Sequence, residues 1–208
     1  MRVRYQSYRS YPGDGISPIL LIIIANLFIY VTIFILGVVS PSLAGRMFLG
    51  LALPMPEYFW GRPWTILTSA FLHTSFWHIF ANMITLYFFG NAFNRLVGEK
   101  RFLLVYFSGG IIGNIFMLLL AGFAPYSVSL GASGAVFALA GGLVVMRPKL
   151  PVMIFPIPLP IPLWVAVIGG FLVLSFMPSV AWQAHLGGLL VGLVAGFIFR
   201  RRERRFFF

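Results

Sequence analysis

The chain has 208 residues, of which 60% are hydrophobic and only 9% charged, and it carries a formal net charge of +11 with no cysteine. The apolar composition excludes an ordinary soluble domain, and the lack of cysteine excludes disulfides, thiolate metal sites and a cysteine nucleophile. In a soluble protein this charge would indicate nucleic-acid binding, but here the basic residues cluster beside apolar segments and indicate membrane topology. We therefore expect contact with membrane lipids and no nucleic-acid partner.

Continuous apolar segments predict an all-α polytopic membrane protein with six transmembrane helices. The predicted spans are roughly 17–39, 76–95, 102–121, 133–146, 157–176 and 183–199. A transmembrane barrel is not indicated, because the runs do not alternate with a period of two residues. The first run is too long for the core of a signal peptide and is interpreted as a retained span. The chain thus divides into an N-terminal tail (1–16), a bundle (17–199) and a basic C-terminal tail (200–208).

The basic residues predict the orientation of the bundle. They lie before span one, between spans two and three, between spans four and five, and after span six; Arg46 and Arg62 are the exceptions among the 15 Lys and Arg residues. Because cytoplasmic loops are enriched in Lys and Arg, both termini are predicted to be cytoplasmic, in a multi-pass protein of the cell membrane. The connection 40–75 has apolar or amphipathic pieces, 46–53 and 63–71, which are expected at the interface or partly within the membrane.

Span four begins at Ser133, within the stretch "SLGASGAVF" (129–137). Its 14 residues would rise only about 21 Å as a helix, against about 30 Å for the hydrocarbon core. The external end of this span should therefore start below the membrane surface. Irregular backbone at such depth is tolerated where it is buried in protein or lines a water-filled cavity. A serine at this position is either a small residue for helix packing or a nucleophile.

His185, near the start of span six, favours the second interpretation. Small residues lie on one face of each of the two spans. They are Gly188, Gly192 and Gly196 on span six, and Ser133, Ala140 and Gly141 on span four. Packing of these faces would bring His185 beside Ser133, and a serine with a histidine base is a sufficient nucleophile–base pair. Alone, His185 would be interpreted as an ordinary helix-contact histidine, but its occurrence together with these faces favours catalysis.

The other polar residues limit the chemistry. No Asp or Glu lies within a predicted span, which disfavours an aspartyl mechanism, a carboxylate-gated ion pathway and a Ser-His-Asp triad. His78 and Asn82 share one face of span two and could donate hydrogen bonds to an oxyanion, as could the backbone N–H of Ser133. Asn82 could instead bond a neighbouring helix. A metal site of His73, His78 and His185 is a further alternative; nothing else in the pattern requires a metal, so neither a metal nor another cofactor is expected.

Three motifs occur in order on spans two, four and six: "HIFAN" (78–82), "GASGAVFALAG" (131–141) and "AHLGGLLVG" (184–192). Together they resemble the rhomboid family of intramembrane serine proteases, and the resemblance covers roughly residues 60–200. It implies a six-transmembrane-helix rhomboid-like bundle of the minimal prokaryotic type, without a further soluble domain.

The resemblance also implies a role for each matching position. Ser133 corresponds to the nucleophile and His185 to its general base, without a third carboxylate, while His78 and Asn82 correspond to the oxyanion-stabilising pair. The supporting positions are Gly131 and Gly134 beside the nucleophile, Gly188 between spans six and four, and Phe137, which stands where tyrosine is frequent and can stack on His185. His73 matches a structural histidine.

The reaction implied by the resemblance is hydrolysis of peptide bonds in or near transmembrane segments of single-span or polytopic membrane proteins. Span five and the loop 177–182 resemble a mobile gate and cap. The alternative is a catalytically silent rhomboid-like protein that binds transmembrane clients, although such proteins usually lose the serine or the histidine. A small transporter or channel is disfavoured, because no charged residue lies in mid-span and no internal repeat is evident.

One feature departs from the family pattern, and another is not explained by it. Trp64 is followed by Thr65, where many members carry arginine in the first loop. The run "PIPLPIPL" (156–163) resembles a broken helix start at the cytoplasmic end of span five, where proline in a first helical turn is tolerated, but nothing in the pattern explains it.

Overall fold

The computed structural model describes residues 16–123, 128–153, 159–177 and 180–204, with side chains described up to residue 200. Residues 1–15 of the N-terminal tail, 205–208 of the C-terminal tail and 156–158 of the proline run lie outside the described residues. The helices in the described part are α1 (Pro18–Val39), α2 (Pro41–Leu51), α3 (Pro56–Phe59), α4 (Thr65–Thr68), α5 (Phe76–Val97), α6 (Glu99–Leu119), α7 (Ser133–Met146), α8 (Leu163–Ser175) and α9 (Trp182–Arg204). A 3-10 turn, Ser69–Phe71, precedes α5. Two short antiparallel pairs join β1 (Leu53–Pro54) to β2 (Val128–Ser129) and β3 (Pro151–Val152) to β4 (Ile161–Pro162).

Six of these helices occupy the six predicted spans. By length and composition α1, α6 and α9 could each cross a membrane, and α7 and α8 are shorter apolar helices. Large apolar side chains cover their outer faces; Phe28 and Phe34 of α1 are 70% and 64% exposed. Contiguous apolar surface of this kind is costly in water but suits a hydrocarbon environment, in which helices satisfy their own backbone hydrogen bonds. The predicted class, an all-α polytopic membrane protein, is confirmed.

The predicted start of span five is wrong. α8 begins at Leu163 and not at 157, and β4 occupies Ile161–Pro162. Proline lacks a backbone donor and disfavours helical geometry in the residue before it, so Pro160 and Pro162 oppose a helix over the described residues 159–162. β3 and β4 instead form a hairpin, and the N–H of Leu163 donates to the carbonyl of Leu150 at 2.9 Å. The last part of the proline run is therefore one arm of a hairpin that leads into α8.

α7 lies in the centre of the bundle, where α5, α6, α8 and α9 all pack against it. The backbones of α7 and α9 are in direct contact. A Cβ at Gly188 would overlap the carbonyl oxygen of Gly134, and a Cβ at Gly192 would overlap that of Ala138. Small residues are what allow the two helix axes to approach so closely.

The glycine face of α9 contacts α7 at positions that differ in part from the predicted ones. The residues of α7 that meet Gly188, Gly192 and Gly196 are Gly134, Ala138 and Gly142, whereas the sequence pattern indicated Ser133, Ala140 and Gly141. Both observed sets repeat every four residues, so the residue rows of the two helices meet turn by turn. Of the indicated set, Gly141 also contacts α9, at the carbonyl of Leu189.

The connection 40–75 is fastened to the end of α2. The side chains of Arg62, Trp64 and Thr68 donate to the carbonyls of residues 49, 50 and 51, at 2.9 Å for Trp64 and 2.8 Å for Thr68. The last carbonyls of a helix have no intrahelical donor, so these bonds satisfy α2 where it ends. Arginine therefore does anchor this loop, although it precedes the tryptophan in the chain. The β1–β2 pair then joins the connection to the residues that precede Ser133.

Candidate active site

Ser133 and His185 meet at one end of the bundle. Ser133 is the first residue of α7, His185 lies in the first turn of α9, and the Ser133 Oγ is 2.8 Å from the His185 Nε2. The two residues are 52 positions apart in the chain. They are brought together because Gly188, one turn after His185, packs on the backbone of Gly134. This is the distance at which a hydroxyl and an imidazole share a hydrogen bond.

The His185 ring is held by stacking. Phe137, one turn after Ser133 on α7, lies over the His185 ring with centroids 4.5 Å apart and an interplanar angle of 27°. His185 is only 5% exposed, and among the described residues its Nδ1 has no hydrogen-bond partner. The described part of the site is therefore a serine–histidine pair rather than a triad, since no described carboxylate bonds the outer nitrogen of the imidazole.

Gly131 brings His78 close to the serine. It has φ +113°, a conformation that favours glycine, and its N–H donates to the carbonyl of Ser69 at 2.9 Å. A Cβ at Gly131 would lie 2.8 Å from the His78 Nε2 and 3.9 Å from the Ser133 Oγ. Thr74 Oγ1 lies 3.5 Å from the other ring nitrogen of His78. The space beside the serine that a side chain would fill is thus bordered by the His78 imidazole.

Asn82 lies one turn after His78 on α5 and is 7% exposed. Its Nδ2 donates to the carbonyl of His78 at 2.9 Å, within the same helix. An amide nitrogen carries two N–H groups, so a second donor remains on this atom. The structure thus brings Ser133, His185, His78 and Gly131 together, whereas the contact described for Asn82 is with its own helix.

His73 forms the other side of the His78 environment. It lies in the segment between the 3-10 turn and α5, is 5% exposed, and packs its ring edge-on against that of His78 with centroids 4.8 Å apart. Burial, and to a smaller extent the neighbouring His78, lower the pKa of His73 to about 3. His73 is therefore a neutral packing partner at neutral pH. Among the described residues, no three His, Cys, Asp or Glu side chains form a group that could hold a metal ion.

Sequence reasoning missed one residue that supports the site. Asn114 of α6 donates to the Ser69 Oγ and to the Ile66 carbonyl, both at 2.8 Å. Ser69 in turn accepts from the N–H of Gly131 through its carbonyl. Asn114 therefore holds the turn that holds the backbone before the nucleophile. The available signal was an isolated amide in an otherwise apolar span, since an amide inside a membrane needs a partner.

Fold and site together define a helical membrane protein whose partly buried serine–histidine pair lies at one end of a close-packed bundle. The family model for the Rhomboid domain matches residues 61–202, and the chain belongs to the rhomboid family. It is 33% identical over 163 residues to Rhomboid protein 1, mitochondrial, of Saccharomyces cerevisiae, covering 68% of this chain and 44% of that protein. It is 33% identical over 157 residues to the rhomboid protein YdcA of Bacillus subtilis, covering 70% of this chain and 72% of that one. Rhomboid protease GluP of Bacillus subtilis is 41% identical over 83 residues, covering 40% of this chain and 16% of its own.

The chain covers different shares of these relatives. The chain spans less than half of the yeast protein and a small part of GluP, and most of YdcA. The family resemblance inferred from the three motifs is nevertheless confirmed, because the matched region contains all of them.

Proposed function

We propose that the protein is an intramembrane serine endopeptidase that acts through a Ser133–His185 dyad. The observation that supports this most directly is the 2.8 Å distance between the Ser133 Oγ and the His185 Nε2. A serine hydroxyl is a weak nucleophile until a base takes its proton, and a histidine at hydrogen-bond distance is such a base. The relative GluP is named a rhomboid protease, which agrees with this chemistry.

The proposed reaction follows from the atoms at the site. The Ser133 Oγ attacks the carbonyl carbon of the scissile peptide bond while the His185 Nε2 takes the hydroxyl proton. The protonated imidazole then gives this proton to the leaving amine, which leaves an ester on Ser133. Water attacks the ester with His185 again as base and releases the second product. Phe137 keeps the imidazole plane aligned with the serine throughout.

The charge that develops on the carbonyl oxygen requires donors. The proposed donors are the His78 Nε2, the Asn82 Nδ2 and the backbone N–H of Ser133. His78 is supported by its position beside Gly131, and the Ser133 N–H by its position in the first turn of α7, where N–H groups lack intrahelical acceptors. Removal of one oxyanion donor typically costs about 10²–10³ in kcat.

The proposed substrates are membrane proteins cleaved in or near a transmembrane segment, which would reach the site between α5 and α8. The proposed setting is the cell membrane, with residues 17–199 forming the bundle and both termini (1–16 and 200–208) cytoplasmic. Described basic residues support this orientation, because Arg147 follows α7 at the end opposite Ser133 and Arg200 donates to the Val145 carbonyl there. Some rhomboid relatives are mitochondrial by name, such as the yeast protein, and these lie in a different membrane from the one proposed here.

The test uses the full chain purified in detergent, with a single-span reporter protein and a fluorophosphonate probe. Wild type should cleave the reporter and be labelled at Ser133. Ser133→Ala and His185→Ala should lose both activities, whereas Ser108→Ala, which removes a hydroxyl from α6, should keep them. Cleavage that persists in Ser133→Ala would overturn the proposal. A folded wild type that is inert with several reporters and lipids would favour the client-binding alternative.

A further inference from the structure

Helix α8 is attached firmly at only one end among the described residues. Its buried residues, Leu163, Ala166 and Val167, all lie in its first two turns. The β3–β4 hairpin lies at the same end, where the N–H of Leu163 bonds the Leu150 carbonyl. Farther along, Val173 is 65% exposed and Phe176 87% exposed. The outer half of α8 is therefore held against the bundle by partly buried side chains only, Phe171 among them.

Phe171 is the side chain of this outer half that reaches the site. Its ring packs nearly perpendicular to that of Phe137, with centroids 6.1 Å apart and an interplanar angle of 81°. Phe137 is in turn stacked on His185 at 4.5 Å. Three rings from α8, α7 and α9 thus form one continuous contact that ends on the imidazole. Edge-to-face and offset-stacked arrangements are the favourable geometries for such pairs.

The His185 ring depends on this contact more than a triad histidine would. Among the described residues its Nδ1 has no hydrogen-bond partner, so the Nε2 bond to Ser133 and the Phe137 stack are the directional contacts on the ring. The terminal torsion of a phenylalanine has a broad energy minimum. A ring that is supported on its far side therefore keeps its orientation better than one that is not.

We infer that Phe171 is a positioning residue, which braces Phe137 and through it the catalytic imidazole, so that the reactivity of Ser133 depends on where the outer half of α8 lies. This inference rests on the proposed function. It couples the position of α8 to the chemistry of the dyad, in addition to any part that α8 has in admitting substrate. When the outer half of α8 moves away, the brace is lost and Phe137 can turn.

The test measures the labelling rate of Ser133 by a fluorophosphonate, because a small probe does not require entry of a transmembrane segment. Phe171→Ala should slow labelling about two- to tenfold, the range expected for loss of one aromatic pair. Phe171→Tyr, which keeps the ring, should restore the wild-type rate. Phe176→Ala removes the same ring from an exposed position immediately after the same helix and should leave the rate unchanged. Thermal midpoints are measured for every variant, and Phe171→Leu replaces the alanine variant if that one does not fold.

A double-mutant cycle tests the route of the effect. If Phe171 acts through Phe137, the double variant Phe137→Ala/Phe171→Ala should be labelled no more slowly than Phe137→Ala alone. On reporter cleavage, Phe171→Ala should lower kcat, while a change in KM alone would show that Phe171 affects substrate entry.

The outcomes separate this inference from the proposed function. A wild type that is not labelled at Ser133 overturns the proposed function and this inference with it. A labelled wild type with an unchanged rate in folded Phe171→Ala, or with independent effects in the double variant, overturns the inference and leaves the protease assignment intact.

Discussion

Substitution of Gly188 by alanine tests whether backbone contact between α7 and α9 positions the dyad. A Cβ at this position would overlap the Gly134 carbonyl oxygen and lie 2.7 Å from its carbonyl carbon. Carbon atoms attract most strongly at about 3.5–4.0 Å, so the two helices would have to separate locally by about 1 Å. The obstructing atoms are backbone, so no side-chain rotation can relieve the overlap. We expect Gly188→Ala to lower the free energy of unfolding by about 1–3 kcal/mol, the usual cost of overpacking.

The expected effect on activity is larger than the effect on stability. His185 lies one turn before Gly188, and a misplacement of about 1 Å between reacting groups can reduce the rate about 100-fold. Gly192→Ala would overlap the Ala138 carbonyl oxygen one turn farther away. It should cost similar stability but slow labelling of Ser133 less than Gly188→Ala does.

The assay is a thermal melt in detergent combined with the labelling rate of Ser133 by a fluorophosphonate. The matched control is Gly37→Ala in α1, where a Cβ would meet nothing within 4 Å. Alanine in a helix is favoured over glycine by about 0.5–1 kcal/mol, so this control should be neutral or slightly stabilised. If Gly188→Ala matched Gly37→Ala in both measurements, the close backbone contact could not be what sets the helix spacing. Normal labelling with reduced stability would instead show that the dyad is positioned by something else.

Three further changes probe the surroundings of the site. Gly131→Ala should slow labelling of Ser133 about 100-fold or more, because alanine disfavours the positive φ of this position and its Cβ would crowd the His78 Nε2, a proposed oxyanion donor. A labelling rate within twofold of wild type would contradict this. Trp64→Phe removes the 2.9 Å bond to the Gly50 carbonyl and should lower stability by about 0.5–1.5 kcal/mol in a thermal melt, whereas an unchanged midpoint would mean that the loop is anchored without it. Burial holds the pKa of His73 at about 3 in the folded protein, while the unfolded chain takes up this proton below about pH 6.5, so stability should fall as pH drops from 6.5 towards 3. His73→Gln should reduce that slope by up to about 1.4 kcal/mol per pH unit, and parallel curves for the two proteins would refute the assignment.

The helices were predictable from sequence wherever apolar length alone decides the outcome. α1 and α7 begin and end within about a residue of their predicted bounds, because each is an uninterrupted apolar run between turn residues. The start of α8 could not be predicted in this way, because hydropathy does not detect the missing backbone donors of proline. Ile161 and Pro162, in its first predicted turns, form a hairpin arm, so its start was placed too early.

The candidate site shows a different limit. The proximity of Ser133 to His185 could be expected, since regular helices carry small residues at fixed offsets from both of them. The hydrogen bonds by which Asn114 holds the turn at Ser69 could not be expected, because their acceptors lie 45 and 48 residues earlier in an irregular segment. The same holds for the bonds of Arg62 and Trp64 to the end of α2. Periodicity describes regular elements, and it contains no information on which carbonyls a turn leaves free.

The helix lengths and the glycine contacts together explain how the Ser133–His185 pair of the proposed protease can lie below a membrane surface. α7 has 14 residues and rises about 21 Å, so it cannot cross a hydrocarbon core of about 30 Å, and Ser133 at its start must lie well below one surface. α9 is longer, yet the contact of Gly188 with Gly134 sets His185 at the same depth as the serine. The chain that precedes Ser133 is irregular and must satisfy its own polar groups, which Ser69 and the β1–β2 pair do. A short helix, a close glycine contact and a hydrogen-bonded preceding loop therefore together place the serine and the histidine side by side at this depth.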